Sequence, residues 1–315
     1  MRYTLRQLEI FSSTAQLESV SQAAERLAMS QSAASTALNE LERQFDRPLF
    51  HRHGKRLRLN ETGRLVLPKA LELLDRAAEL ESLFTGSQGI GSLRIGATMT
   101  IGNYLATMLI AEFMRRHPDS RPTLEVGNTT RIASRVADFE LDLGLIEGEA
   151  IHPDLAMTDW VDDELAVFCA AEHRLAKRRK VKVEELLHEW WIVREPGSGT
   201  RQTLERAMHG HTSRWQIRLQ LEHTEAIKRA VEAGLGIGCV SRLALVEAFR
   251  RGNLVELKTP ELDLRRRFYF LLHKHKYLTP GITAFLQLCQ EVSAGAKRSD
   301  QIRLGKNTNR ARSSV

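Results

Sequence analysis

The sequence predicts a mixed α and α/β chain: a small helical module closed by a hairpin, one long helix, and an open α/β region in which strands and helices alternate. Three observations predict it. Apolar residues recur at helical spacing through the first forty-odd residues and then switch to alternation around His53-Gly54. A continuous helical pattern follows from Glu61 to about Phe84. Beyond Ser92, short apolar strand-like runs and amphipathic stretches succeed one another to about residue 292.

In the first module, Leu5, Leu8, Phe11 and Ala15 give one buried face to an opening helix. Ser21-Gln-Ala-Ala-Glu-Arg-Leu27 reads as a short second helix, and Ser30 as the N-cap of a third, over 31–45. Two helices crossing steeply over a short turn need small residues at the contact. Ala23, Ala24, Ala33, Ala34 and Ala37 supply them, which makes the pair a helix-turn-helix. Ala34, Leu38 and Leu41 point inward. The outer face then carries Gln31, Ser32, Ser35, Thr36 and Asn39, short hydrogen-bonding side chains suited to base edges in a major groove. In the hairpin after Pro48, Leu57 and Leu59 alternate inward with Arg56 and Arg58 outward. A basic hairpin in that position is a wing, with Arg52, Lys55 and Arg56 as phosphate contacts.

In the long helix, Val66, Ala70, Leu73, Ala77, Leu80 and Phe84 repeat at alternating steps of four and three, the spacing of a coiled-coil seam. Leu67, Leu71, Leu74 and Ala78 form a second row, more apolar surface than one exposed helix covers alone. Pro68, past the first turn, predicts a kink or a local irregularity. Thr85-Gly-Ser-Gln-Gly-Ile-Gly91 reads as a hinge.

In the α/β region, strands are predicted at 92–96, 124–126, 141–146, 165–170, 190–193, 217–221, 237–240 and 268–272, with helices at 104–116, 182–188, 201–209, 224–233 and 279–292. Ligands of such lobes sit at the carboxyl ends of the strands. Three strand-to-helix turns, beginning at Ala97, Gly127 and Arg194, place hydroxyls and free backbone N–H groups at helix N-termini, and His223-Thr224-Glu225 caps a fourth helix. Such ends favour an anion or a carboxylate.

Composition narrows the class. The chain has 315 residues, more than one typical domain, with 42% hydrophobic and 27% charged residues. The net charge of +7 is concentrated at the ends: +3 over residues 1–60 and +5 from Ala294 onward, leaving −1 in the middle. A basic end suits a polyanionic partner. Cys169, Cys239 and Cys289 lie far apart in apolar stretches and read as buried reduced thiols. No run of about 18 apolar residues reads as a membrane span, and the first thirty residues carry no signal-peptide core. A cytoplasmic setting is expected. This weighs against the rival reading, a solute-binding protein with an incidental basic N-terminal domain.

No catalytic constellation emerges, so no enzyme and no cofactor is expected. Gly234-Leu-Gly-Ile-Gly238 follows a helix and precedes a strand, the reverse of a dinucleotide loop. Pro196-Gly-Ser-Gly-Thr200 lacks the outer glycines of a nucleophile elbow. His273-Lys-His275, at alternate strand positions, is not read as a metal site.

Leu5-Arg-Gln-Leu-Glu-Ile-Phe11, Ala23-Ala-Glu-Arg-Leu27, Ser30-Gln-Ser-Ala-Ala-Ser35, Leu41-Glu42, Pro48-Leu-Phe-His-Arg52 and Glu61-Thr-Gly63 together resemble, without a gap, the N-terminal signature of LysR-type transcription regulators. The cleft segments, with Ile146-Glu-Gly148, resemble the YeiE-like, sulfite-responsive branch of that family. A composition rich in Lys, Arg, Asn and Ser predicts a disordered basic tail over 294–315, and the resemblance implies a DNA-binding domain over 1–60 and a linker and dimerisation helix with its hinge over 61–89. Between them, over 90–293, it implies a two-lobed effector domain like the periplasmic binding proteins. Its lobe I spans 91–162 and 267–293, and its lobe II spans 163–266. It further implies a homodimer on a pseudo-palindromic double-stranded DNA site, dimers pairing into tetramers, and RNA polymerase as a partner. Thr98, Thr100, Asn128, Thr129, Ser198, Gly199, Thr200 and Thr224 would line a small-molecule site for sulfite, another small anion or an organic carboxylate. Glu147 and Arg194 are the charged residues beside it, and an unpaired Glu147 would repel an anion.

Overall fold

The computed structural model describes residues 2–53, 56–84 and 90–303, with the backbone alone at positions 52 and 53. Helix α1 (Leu5–Leu17) opens with a capping box: the Thr4 hydroxyl accepts from the Gln7 N–H, and the Gln7 side chain accepts from the Thr4 N–H. Ser19 and Ser30 cap α2 (Val20–Arg26) and α3 (Gln31–Gln44) in the same position. Of the five alanines expected at the helix crossing, Ala23, Ala24 and Ala34 are buried, Ala37 is half-buried and Ala33 faces solvent. Leu5 is also exposed, because a first-turn side chain leans toward the helix start, beyond the packed face. Ile10 joins Leu8 and Phe11 in the core instead.

Strands β1 (Phe50–His53) and β2 (Arg56–Leu59) pair antiparallel, Phe50 opposite Leu59. Arg56 and Arg58 are exposed, and Leu57 and Leu59 half-buried. Helix α4 (Glu61–Phe84) starts at Asn60, whose side-chain oxygen accepts from the Gly63 N–H at 2.8 Å. It runs unbroken through Pro68, which is buried. The two apolar rows meet different fates. Leu67 and Ala70 enter the core of the first module, with Val66, Leu71 and Leu74 packed against it. Farther along, Leu80 and Phe84 are 55% and 83% exposed. The predicted hinge falls largely on residues 85–89, outside the described residues.

The α/β region runs β3 (Ser92–Thr98), the single turn α5 (Met99–Ile101), a π-helical turn (Gly102–Ala106), α6 (Thr107–Arg116), β4 (Arg121–Gly127), α7 (Thr129–Ala137), β5 (Leu143–Glu147) and β6 (Leu155–Ala170). It continues with α8 (Val183–Leu186), β7 (Trp190–Arg194), α9 (Gly199–Ala207), β8 (Gln216–Leu221), α10 (Thr224–Glu232), β9 (Ile237–Ser241), α11 (Arg242–Arg251), β10 (Leu254–Leu257), β11 (Arg265–His273) and α12 (Pro280–Ser293). The strand order is β4-β3-β5-β11-β6-β9-β7-β8, with β10 also on β6. Parallel strands β4-β3-β5 form one lobe around Ile95, Leu143, Phe113 and Phe285. Parallel strands β8-β7-β9 form the other, around Val167, Trp191 and Ile237. Antiparallel β6 and β11 run side by side through both.

Helix α7 is the one expected to open after Gly127, whereas helix α11, the strand β10 and the first half of β6 lie outside the predicted elements. The last case has a clear cause: Asp159, Asp162, Asp163 and Glu164 interrupt any apolar alternation. Their register partners on β11 include the Arg265–Arg267 run, so charge pairs rather than apolar contacts hold this stretch. A second correction concerns the tail. Composition predicts disorder from Ala294, yet the chain continues in defined structure to Arg303, with a 3-10 turn at Ser299–Gln301 and Ser299 fully buried. A polar composition hides a segment whose anchor is one buried hydroxyl. Residues 304–315 lie outside the described residues.

The first module docks on the lobe I strands. Phe139, with a left-handed φ of 57°, is buried in the same apolar cluster as Leu8, Ile10 and Phe11. Its carbonyl accepts from Gln16 Nε2 at 3.1 Å, and the His273 ring lies 4.0 Å from its own. Lys276 Nζ, almost wholly buried, bridges Asp75 of α4 at 2.9 Å and Asp142 at 3.0 Å. The Tyr277 hydroxyl donates to Glu79, beneath Arg76.

Burial holds the His273 imidazole down at about 4, against the opposing pull of Asp154. The unfolded chain therefore binds a proton below about pH 6.5 that the folded chain refuses, so the contribution is intact above that pH and is lost as pH falls toward 4. Thermal melts between pH 7 and pH 4 should show a falling midpoint, with a shallower fall in His273→Phe. An identical slope in the variant would refute the assignment.

Candidate functional site

Thr98, Asn128 and Glu147 stand at the carboxyl ends of the parallel strands β3, β4 and β5. Arg194 and Thr224 stand at or just past those of β7 and β8. Glu147 is the centre at which the two lobes meet. Its carboxylate is 1% exposed and accepts from the hydroxyls of Thr98 and Thr100, each at 2.9 Å, and of Thr200 from the opposite lobe at 3.4 Å. Thr129 donates to its backbone carbonyl at 2.6 Å. Gly199 packs so closely on that carbonyl that any Cβ would collide with it. The Glu147 carboxylate is thus paired, and the three threonine protons point at it rather than into free space. The Asn128 side-chain oxygen is likewise engaged, accepting from the Arg131 N–H at the start of α7.

Two arginines complete the buried charge. Arg266 of β11 binds Asp163 through Nε at 2.6 Å, donates Nη1 to Thr200 at 3.0 Å, and lies 3.8 Å from Glu147. Burial opposes its charge, but Asp163 and Glu147 outweigh that and hold the guanidinium above its usual range. Arg194 is clamped by Glu195 through Nε and Nη2 at 2.8 and 2.9 Å. Among the described residues around these strand ends, four buried donors have no protein acceptor: Arg194 Nη1, Ser198 Oγ at the N-cap of α9, Thr224 Oγ1 in the first turn of α10, and Arg266 Nη2. The lobes are also joined at the rim, where the Tyr104 hydroxyl donates to Glu225 and Thr130 approaches the Gly197 carbonyl. Beside that contact a cavity of about 540 Å³ is lined by Asn128, Thr130, Arg131, Ser134, Arg135, Pro196 and Gly197.

Every predicted effector-site residue lies at these strand and helix ends. Sequence reading misses Arg266, Asp163 and Glu195. The signal for the first two is present, three consecutive arginines that match Asp162-Asp-Glu164 in number and opposite sign. On α3, Gln31, Ser32, Thr36 and Asn39 are exposed and Ser35 is half-buried. Arg56 projects from β2; the Arg52 side chain and Lys55 lie outside what is described. All three cysteines are free and buried, and burial pushes the Cys169 and Cys239 thiols up to about 12, which keeps them protonated. Among the described residues, no cluster of three His, Cys, Asp or Glu is placed to hold a metal, and no helix is long and apolar enough to cross a membrane.

A capped helix-turn-helix with a hairpin, carried by a long helix against a two-lobed sensing domain, defines a ligand-responsive transcription regulator. Residues 5–64 match the family "Bacterial regulatory helix-turn-helix protein, lysR family", and residues 86–294 match "LysR substrate binding domain". The chain belongs to the LysR family of transcription regulators and is not an enzyme. It is 41% identical over 289 residues to the HTH-type transcriptional regulator YeiE of Escherichia coli strain K12, across 92% of this chain and 98% of that one. Its sensing region resembles the regulatory domain of CcmR from Synechocystis PCC6803, solved in complex with 2-PG. That match has 30% identity and a TM-score of 0.61, over 65% of this chain and 99% of the other. A full-length cysteine-to-aspartate variant of OxyR from Pseudomonas aeruginosa shares the fold over 92% of this chain and 94% of its own, with 20% identity and a TM-score of 0.69.

Arg266→Met removes the one cation between two buried carboxylates. It should destabilise the chain by ~3–5 kcal/mol, because Asp163 and Glu147 are left uncompensated. Urea denaturation measures this; a change under ~1 kcal/mol would show that the pair is solvated.

Proposed function

We propose that this regulator binds a pseudo-palindromic double-stranded DNA site as a homodimer and responds to a small oxyanion, sulfite first among them, held between its lobes. One observation carries the effector reading: Arg194, Arg266, Ser198 at the N-cap of α9 and Thr224 in the first turn of α10, all on or beside the strand ends of the two lobes, each keep a buried donor without a protein acceptor. Buried donors are rarely left unpaired, and helix N-termini favour negative charge. The charge of Glu147 is partly offset by three hydroxyl donors and by Arg266 at 3.8 Å, so the unpaired donors rather than net charge favour the anion. The choice of sulfite rests on the resemblance of the cleft segments to the sulfite-responsive branch of the family. A second reading, a larger organic carboxylate, draws on the likeness to the CcmR domain bound to 2-PG and on the cavity of about 540 Å³ at the rim.

For DNA, Gln31, Ser32, Ser35, Thr36 and Asn39 form the base-reading face, and Arg52, Lys55 and Arg56 the phosphate contacts. The exposed Leu73, Leu80, Leu83 and Phe84 of α4 support a dimer seam, since an apolar row of that length on a monomer invites a partner. Pairing of dimers into tetramers, contact with RNA polymerase and a cytoplasmic location complete the proposal.

Footprints on intergenic DNA test the first part. Arg52→Ala should weaken binding to all sequences alike, and Gln31→Ala should relax preference at one base position, each by about 1–3 kcal/mol. Sequence-blind protection by the unaltered protein would refute specific recognition.

Thermal shift against sulfite, sulfate, phosphate and a set of organic acids tests the second. Thr224→Val removes an unpaired hydroxyl while keeping the side chain's shape, so the ligand-free midpoint should hold or rise. The sulfite concentration needed for half-maximal stabilisation should increase about tenfold. A response to organic acids alone would favour the second reading.

A further inference from the structure

The segment after α12 belongs neither to the sheet nor to the cleft, yet it ends in a buried contact with the strands that join the lobes. Ser299 is fully buried, and its hydroxyl donates to Asp163 Oδ1 at 2.5 Å. The same oxygen accepts from Ser241 at 2.7 Å, while Oδ2 takes Arg266 Nε at 2.6 Å. On the flank, Arg298 Nη1 donates to Glu164 at 2.6 Å, and Glu164 also holds Arg242. Ile302 packs on the core of the β4-β3-β5 lobe, while the Ser299–Gln301 turn lies against α11 of the other. This short stretch of chain thus touches both lobes and the strands that join them.

We propose that residues 298–302 are a latch on the hinge, and that Ser299, acting through Asp163, is a positioning residue for Arg266 and hence for the effector cleft. The path is continuous: Ser299 to Asp163, Asp163 to Arg266, Arg266 to Thr200, Thr200 to Glu147, and Glu147 to Thr98 and Thr100. Asp163 is 2% exposed, so water does not replace a lost donor at its carboxylate. Without the Ser299 hydroxyl, the balance of donors around Asp163 changes, and the guanidinium it anchors moves with it. Arg266 Nη2, buried and unpaired, is the group whose aim then fails. The consequence for ligand binding rests on the proposed effector reading; the mechanical coupling does not.

The test uses the full chain with Ser299→Ala, Ser299→Thr, which keeps the hydroxyl, and Arg298→Ala. Hydrogen exchange is read without ligand, and stabilisation is titrated with sulfite as the probe. With the latch, Ser299→Ala quickens exchange at residues 98–101 and 199–203, far along the chain from the substitution, and Ser299→Thr restores it. The sulfite midpoint rises about tenfold in Ser299→Ala, returns in Ser299→Thr, and moves less in Arg298→Ala, whose contacts stop at the outer flank. Faster exchange confined to residues 294–303, or an unchanged sulfite midpoint in Ser299→Ala when the unaltered protein responds, overturns the latch. If the unaltered protein answers no anion, the effector reading fails instead, and the exchange result alone decides for or against the latch.

Discussion

Strands β6 and β11 meet with opposite charge at the point where both pass from one lobe to the other. Asp162, Asp163 and Glu164 face Arg267, Arg266 and Arg265 in register. Of the outer members, Arg267 and Asp162 form a solvated pair that contributes at most about 1 kcal/mol, whereas Arg265 turns to Asp263 and Glu164 to Arg242 and Arg298. The middle pair is different, because Asp163 and Arg266 are both buried. A buried pair of this kind adds little over an apolar substitute but cannot lose one partner cheaply. Its effect is therefore geometric. It fixes the crossing of the hinge strands, and with it the direction of the remaining N–H groups of Arg266.

From that fixed point the polar groups of the cleft follow in sequence. Arg266 steadies Thr200, and with it Glu147, which gathers Thr98 and Thr100. Glu147 ends β5, and the loop that begins β5 carries Phe139 and Asp142, the residues that grip the first module and, through Lys276, the long helix. One strand of about 17 Å therefore spans from the proposed ligand cleft to the helix-turn-helix module. The named contacts of that module fall on the β4-β3-β5 lobe and the segment after β11. Under the proposed function, a ligand that shifts Glu147 acts on the far end of the element that seats the winged helix. Bistability would reside in how the lobes meet, since β5 itself is wholly buried and packed on both sides.

Much of this is legible in the sequence, and the parts that are not share a cause. The caps, the wing and the long helix announce themselves through local chemistry: Thr4, Ser19 and Ser30 each serve a backbone N–H within three residues. The strand ends that line the cleft are legible because hydroxyl-rich turns follow apolar runs. Asp163, Arg266 and Ser299 are not, because their partners lie 103 and 136 residues away in the chain. A strand held by cross-strand charge looks like a solvated loop in sequence, and a strap anchored by one serine looks like disorder. The threonines show a subtler limit. Their placement at the cleft is readable, but the direction of their protons, toward Glu147, depends on a carboxylate from another strand.

That direction bears on how the cleft discriminates. Its buried charges are two guanidiniums, on Arg194 and Arg266, against three carboxylates, on Glu147, Asp163 and Glu195. Under the proposed function, net attraction of an anion by charge is absent at that level, so selectivity would come from unmet hydrogen bonds. Ser198, Thr224 and one N–H group on each arginine need acceptors, whereas the occupied threonines offer none of their protons. A ligand that brings acceptor oxygens to these groups would satisfy donors that are otherwise stranded. One lacking them leaves buried polar groups unpaired, the situation in which proteins discriminate most sharply. The carboxylate surplus then sharpens the choice further, since an anion with too few acceptors meets repulsion that no new hydrogen bond offsets.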